Sequence, residues 1–156
     1  MKKEITIRLY RSDDIELMIS IFLNSIRDVA SKDYSKAQID AWAQVDKSVW
    51  GARRASRPTW VAEMDDLIVG WADLEPSGHI DMLYVHPSYQ SKGVASELLA
   101  TIEAEARTQG LQRVFAEASI TAKPFFERRG FRLVATQDVE VRGQLFINHR
   151  MEKVIK

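Results

Sequence analysis

The chain has 156 residues, enough for one compact domain with a sizeable core, and its 22 basic and 22 acidic side chains cancel. That balance gives no large net charge to favour nucleic acid or an anionic membrane surface, though a local basic patch remains compatible with it. The absence of cysteine excludes disulfides, thiolate metal sites and a cysteine nucleophile.

At the start, Ile5, Ile7 and Leu9 alternate as one face of a strand. Residues 1–9 lack the apolar run of a signal peptide, and no later stretch approaches the roughly 18 apolar residues of a membrane span. A cytoplasmic protein with neither a membrane nor a nucleic-acid partner is the expectation. Asp13, with Glu16 three residues on, resembles a capping box opening a helix through Ile15, Met18, Ile21, Phe22, Ile26 and Val29. Ser35 and Gln38 repeat the signature before a helix carrying Ile39 and Trp42. Residues 44–57 are polar and suit a helical turn or a loop. Residues 60–64 and 67–74 form a hairpin about Asp65 and Asp66, which read as turn residues, not metal ligands. Trp60 and Trp71 belong in the core.

Residues 79–85 are apolar and β-rich, and His86-Pro87-Ser88-Tyr89 ends that strand. Val94, Leu98, Leu99, Ile102 and Ala106 recur at helical spacing, which predicts a helix from about Gly93. A strand follows over 113–116. Thr121 then caps a short helix, with Pro124 in its first turn and Gly130 as its stop. Residues 131–141 and 145–151 flank Arg142-Gly143 as a closing hairpin. No repeat, low-complexity tract or linker interrupts 1–156, so the chain reads as a single mixed α/β domain with a sheet covered by helices.

The loop Gln90-Ser91-Lys92-Gly93-Val94-Ala95 carries the most chemistry. A glycine-bearing loop that opens a helix directs unpaired N–H groups and the positive end of the helix dipole at one point, which suits a phosphate or pyrophosphate. Taken alone the pattern is common, and a tight strand-to-helix turn accounts for Gly93 equally well. The second motif, Glu117-Ala118-Ser119 through Phe126-Glu127-Arg128-Arg129-Gly130-Phe131, shifts the balance. With the strand end Leu83-Tyr84-Val85-His86-Pro87, these segments resemble the GNAT superfamily of acyl-CoA-dependent N-acyltransferases in order and spacing. Ile80-Asp81-Met82 and the stretch from Ala118 to Arg128 narrow the resemblance to the YafP-type acetyltransferases.

The resemblance implies a GNAT fold: a mixed, mostly antiparallel central sheet with one splayed pair of strands, flanked by about four helices. It implies acetyl-CoA as acyl donor, with no metal. Leu83 and Val85 would hold the acyl and pantetheine groups through main-chain atoms. Gln90, Ser91, Lys92, Gly93, Val94 and Ala95 would hold the pyrophosphate, while Ser119 and Phe126 would lie along the cofactor. A primary amine, of a small molecule, would attack the thioester directly without an acyl-enzyme. Asp81 and His79, two apart on one strand and so on one face, are the candidate bases, histidine titrating near the useful pH without help. Glu117 is a third candidate, with a structural role the simpler reading. Phe126 stands where many members carry a tyrosine that protonates the departing thiolate, and phenylalanine cannot donate a proton. Water then serves, or no dedicated acid is needed, with Tyr84 and Tyr89 the tyrosines nearest in sequence.

Tyr34, Trp42 and Arg142 are the candidate acceptor-binding residues, between the first helices and the closing hairpin. Arg128 and Arg129 are a basic pair able to meet the CoA phosphates, with a solvated helix end the simpler reading. His86 and His149 have no partners at zinc-ligand spacing. Family dimers often pair at an exposed sheet edge, which leaves a homodimer open. Phe126 also keeps a second class of function in play, a non-catalytic acyl-CoA-binding sensor or interaction module.

Overall fold

The computed structural model describes residues 4–155, so residues 1–3 of the expected first strand lie outside it. Strands β1 (Thr6–Leu9), β2 (Thr59–Met64), β3 (Leu67–Asp73) and β4 (Leu83–Val85) form one antiparallel sheet in that order. Strands β5 (Arg113–Ala118), β6 (Arg132–Val141) and β7 (Gln144–Val154) form a second, ordered β5-β7-β6 and also antiparallel. The sheets meet at a single parallel bridge, His79 with Phe115, and part beyond it. This is the splayed, mixed sheet expected.

Five α-helices cover it: α1 (Ile15–Asp28), α2 (Lys36–Trp42), α3 (Lys47–Ser56), α4 (Val94–Thr108) and α5 (Lys123–Arg128). On one face α4 presents Leu98, Leu99 and Ile102 to Val69, Val114 and Met151. On the other, Met18, Phe22 and Ile26 of α1 and Trp50 of α3 pack on Val61 and Trp71. Both tryptophans assigned to the core are there, Trp60 and Trp71 being almost fully buried. Gly70 lets the start of α4 lie flush on β3, because a Cβ there would stand 2.9 Å from Val94 Cγ1 and 3.0 Å from the Tyr84 carbonyl.

Local signals were partly legible. Ser35 and Gln38 make the reciprocal capping box, and Gly93 is the N-cap of α4. Asp13 and Glu16 do not make the other one. Asp14 does that work, accepting the Arg11 N–H at 2.7 Å and two bonds from Arg8, so a 3-10 turn precedes α1. The polar stretch 44–57 holds a full helix, α3, because the Asp46 carboxylate caps its first N–H groups and Trp50 anchors it. Thr121 does not cap α5. Its hydroxyl bonds Asp33, and Ser119 Oγ accepts the Ala122 N–H instead.

The strand expected over 79–85 is regular only at Leu83–Val85. Asp73 N–H donates to the Met82 carbonyl and Glu75 N–H to that of His79, so two steps along one chain oppose three along the other. The extra residue makes a β-bulge, which reverses which residues face the neighbouring sheet. Before it, the Ile80 N–H bonds Phe115 of β5. After it, Met82 O and His86 N bond β3, so by alternation Leu83 and Val85 turn their main-chain groups into the gap between sheets. Asp73 Oδ1 holds the bulge by accepting the N–H groups of Asp81 and Met82 at 3.0 and 2.9 Å. Its other oxygen accepts Arg54 at 2.9 Å, both side chains being inaccessible to solvent. Burial pushes the Asp73 carboxyl upward, against the opposing charge of Arg54.

Asp73→Ala should therefore strand the Arg54 charge and two N–H groups, costing about 3–5 kcal/mol. Urea unfolding measures it; a loss below about 1 kcal/mol would mean that water reaches the vacated site.

Candidate active site

The gap between β4 and β5 opens a cleft of 450 Å³. One wall is Leu83–Val85 with the loop residues Gln90, Ser91, Gly93, Val94 and Ala95. The other is Ala116–Ala118 and Ser119 with Phe125, Phe126, Arg128 and Arg129. The loop reaches its shape through left-handed backbone at Ser91 (φ 61°) and Gly93 (φ 90°). Gly93 offers no side chain to cap the first-turn N–H groups of α4, which stay available to an outside anion.

Several of the expected residues also make contacts within the protein. Gln90 Nε2 donates to the Val85 carbonyl at 2.8 Å, so this side chain ties loop to strand and occupies that oxygen. Lys92 is exposed and lines neither cavity described here. Phe126 is buried against Phe125 and Phe131 and borders the cleft with its ring. Arg129 is no solvated helix end: it lies 4.8 Å over the Phe125 ring and bonds Ser96 Oγ.

A second cavity of 180 Å³ adjoins the cleft, lined by Tyr34, Trp42 and Phe146 among others. Trp42, Tyr84, Glu117 and Ser119 line both, so they mark the junction. Tyr34 and Trp42 thus stand where an acceptor pocket was expected. Tyr34 also accepts the Ile120 N–H at 2.8 Å, tying α2's approach to the Ser119 turn. Arg142 lines neither cavity. It sits in the β6–β7 turn, where its Nη1 donates to the Ala41 carbonyl at 2.6 Å.

Asp81 and His79 lie on one face, opposite Ile80, because the bulge falls after them at Asp81 and Met82, whose N–H groups both bond Asp73. Asp81 borders the cleft, with Arg57 Nη1 at 3.3 Å from its carboxylate. That same guanidinium reaches Glu75 at 2.6 Å and Asp73 at 3.5 Å. His79 lines neither cavity and is clamped between carboxylates, with Nδ1 2.8 Å from Glu75 Oε2 and Nε2 against Glu117 Oε2. Burial disfavours a charged ring, but the hydrogen bonds and charges of Glu75 and Glu117 outweigh it and raise the His79 pKa above its ordinary value. Glu117, ranked third in the sequence, is the carboxylate at the junction of the cavities. Its signal was its place two residues before Ser119 on a strand end, which spacing alone could not connect to His79. Burial pushes the Tyr84 hydroxyl far up, so it keeps its proton. Among the described residues, no group of three His, Asp or Glu is arranged to hold a metal ion.

A split sheet over a helix start with uncapped N–H groups is the architecture of an acyltransferase. The acetyltransferase (GNAT) domain model matches residues 30–153, and the chain belongs to that family of acyl-CoA-dependent acyltransferases. It is 43% identical over 147 residues, 94% of both chains, to the uncharacterized N-acetyltransferase YafP of Escherichia coli (strain K12). A GCN5-related N-acetyltransferase structure from Rhodopseudomonas palustris superposes with a TM-score of 0.94, at 32% identity, over 99% of this chain and 98% of that one. The PaiA N-acetyltransferase of Thermoplasma acidophilum, in complex with coenzyme A, shares the fold with a TM-score of 0.79 at 19% identity, over 97% and 99% of the two chains. No helix among the described residues is long and apolar enough to cross a membrane.

The His79 cluster makes stability depend on pH. A raised folded-state pKa stabilises fully below the unfolded value of about 6.5 and fades as pH climbs through the folded value. The stability gap between wild type and His79→Gln should accordingly be widest near pH 6 and narrow at higher pH, read from urea midpoints. A gap that widens with pH would reverse the assignment.

Proposed function

We propose that this chain, acting as one domain, is an acetyl-CoA-dependent N-acetyltransferase for the primary amine of a small molecule. The amine attacks the thioester directly, with no acyl-enzyme. The observation that carries this reading is the meeting of the two cavities at Trp42, Tyr84, Glu117 and Ser119, which gives donor and acceptor separate approaches to one point. The donor's pyrophosphate takes the N–H groups of 91–95, its arm takes main-chain groups of Leu83 and the Val85 N–H, and Phe126 and Ser119 border it. The coenzyme A complex of the Thermoplasma neighbour supports this donor.

At the junction the ammonium gives a proton to Glu117, and its nitrogen then bonds the acetyl carbon through a tetrahedral oxyanion. Collapse breaks the carbon–sulfur bond, and the second proton of the nitrogen passes through water to the departing thiolate, giving the amide and the free thiol. His79 holds Glu117 through the hydrogen bond from its Nε2 side, and Asp81 adds negative charge near the ammonium's path. Asp81 and His79 thereby keep a part in proton removal, through Glu117 in the case of His79. No tyrosine acid is required, since Tyr84 holds its proton too tightly to be an effective donor.

Amine-dependent release of CoA from acetyl-CoA tests the activity itself. Glu117→Gln should lower kcat roughly 100-fold with acetyl-CoA affinity unchanged by calorimetry. Wild-type kcat in that variant, with loss in Asp81→Asn, would move the base to Asp81. Gly93→Leu puts a side chain on left-handed backbone and should weaken acetyl-CoA binding about tenfold or more. Unchanged affinity would remove the loop from the cofactor site, and tight binding with no release across a broad amine panel would favour the sensor reading.

A further inference from the structure

The smaller cavity has a chemistry of its own. Tyr34, Trp42 and Phe146 pack on one another in its wall, with ring centroids 5.4, 5.8 and 6.3 Å apart. Of the residues lining it, Glu117 is the sole charged one; no Lys, Arg or His faces it among the described residues. Arg142, expected here, does not line the cavity and donates to the Ala41 carbonyl. Asn148 Oδ1 is shielded from solvent and has no hydrogen-bond partner, and Asn148 belongs to this wall. An amide oxygen left so is a waiting acceptor.

From these features we infer that the acceptor is a compact primary amine on an apolar aryl-alkyl body that carries no carboxylate. This deepens the acetyltransferase reading and rests on it. The ring cluster takes the apolar body and its faces favour a nearby cation. Glu117 accepts an N–H bond from the ammonium at the end that meets the thioester, and a turn of the Asn148 side chain, whose Oδ1 is shielded as it stands, brings that oxygen to the same group. An acceptor carboxylate would be desolvated among aromatic rings, beside Glu117 and with no counter-charge, which is strongly unfavourable. At 180 Å³ the cavity is also smaller than the usual range for drug-sized ligands, about 300–1,000 Å³, so polycationic sugar antibiotics do not fit it.

The test compares 2-phenylethylamine with phenylalanine, the same amine without and with a carboxylate, in the CoA-release assay on the whole wild-type chain. The expected kcat/KM is at least about 100-fold higher for 2-phenylethylamine, and any smaller ratio overturns the inference. Asn148→Leu should raise KM for 2-phenylethylamine while the calorimetric Kd for acetyl-CoA stays as in wild type; an unchanged KM overturns the role of the amide. Turnover of polyamines or aminoglycosides with neither phenyl probe accepted sinks this substrate class and leaves N-acetylation standing. No amine-dependent release with any acceptor removes the acetyltransferase reading, and this inference with it.

Discussion

The site depends on one carboxylate that has no part in the chemistry. Asp73 lies at the end of β3, fully buried, and collects the N–H groups of Asp81 and Met82 on one oxygen. Without that acceptor the bulge would leave two buried donors unpaired, each costing about 1–3 kcal/mol. With it, an extra residue is held in the strand, and the main-chain groups of Leu83 and Val85 turn toward a gap that β5 has already left. The split sheet is therefore a local hydrogen-bonding solution, made at Asp73 and propagated along β4. Arg54 makes the burial of Asp73 tolerable, and Trp71 and Trp50 fix Arg54, its guanidinium carbon standing 4.9 and 5.8 Å from their rings.

The same carboxylate starts a line of charge that ends at the reacting position. Arg57 is shared by Asp73, Glu75 and Asp81, Glu75 holds one side of His79, and Glu117 holds the other. Four carboxylates against Arg54 and Arg57 leave the line short of positive charge, and a protonated His79 reduces that deficit. This is the reason its pKa rises in spite of burial. The structural ion network thus reaches the junction of the two cavities, and no boundary separates the residues that hold the fold from those that set the charge there.

What the sequence shows of this is decided by distance along the chain. Signals confined to a few residues were legible: the Gly93 helix start, the Ser35–Gln38 box and the Asp65-Asp66 turn, whose left-handed backbone closes the β2–β3 hairpin. Family resemblance carried the split sheet. The bulge escaped, because it is held by Asp73 on the neighbouring strand, and it shifts the alternation after Asp81 while leaving His79 and Asp81 on one face. Glu117 escaped its proper weight for the same reason: its meaning comes from His79 on another strand and from Trp42 and Tyr84 across a cavity. Helix α3 was obscured by its polar composition, since most of its residues face solvent and only Trp50 and Arg54 are buried.

Phe126 looks like a missing catalytic part only if both proton transfers weigh equally. They do not. A primary ammonium with pKa near 10.4 lies about 3.4 units above neutral pH, so freeing its lone pair costs about 4.6 kcal/mol before attack begins. A thiolate with pKa near 8.5 departs readily, and its later protonation by water sits on a much smaller gap. An arrangement that crowds Glu117, His79, Glu75 and Asp81 near the amine's approach and leaves a phenyl ring on the sulfur side answers the larger demand. Tyr84 fits the same logic: with its pKa pushed up by desolvation it is a poor acid, and its position at the junction serves to shape both cavities.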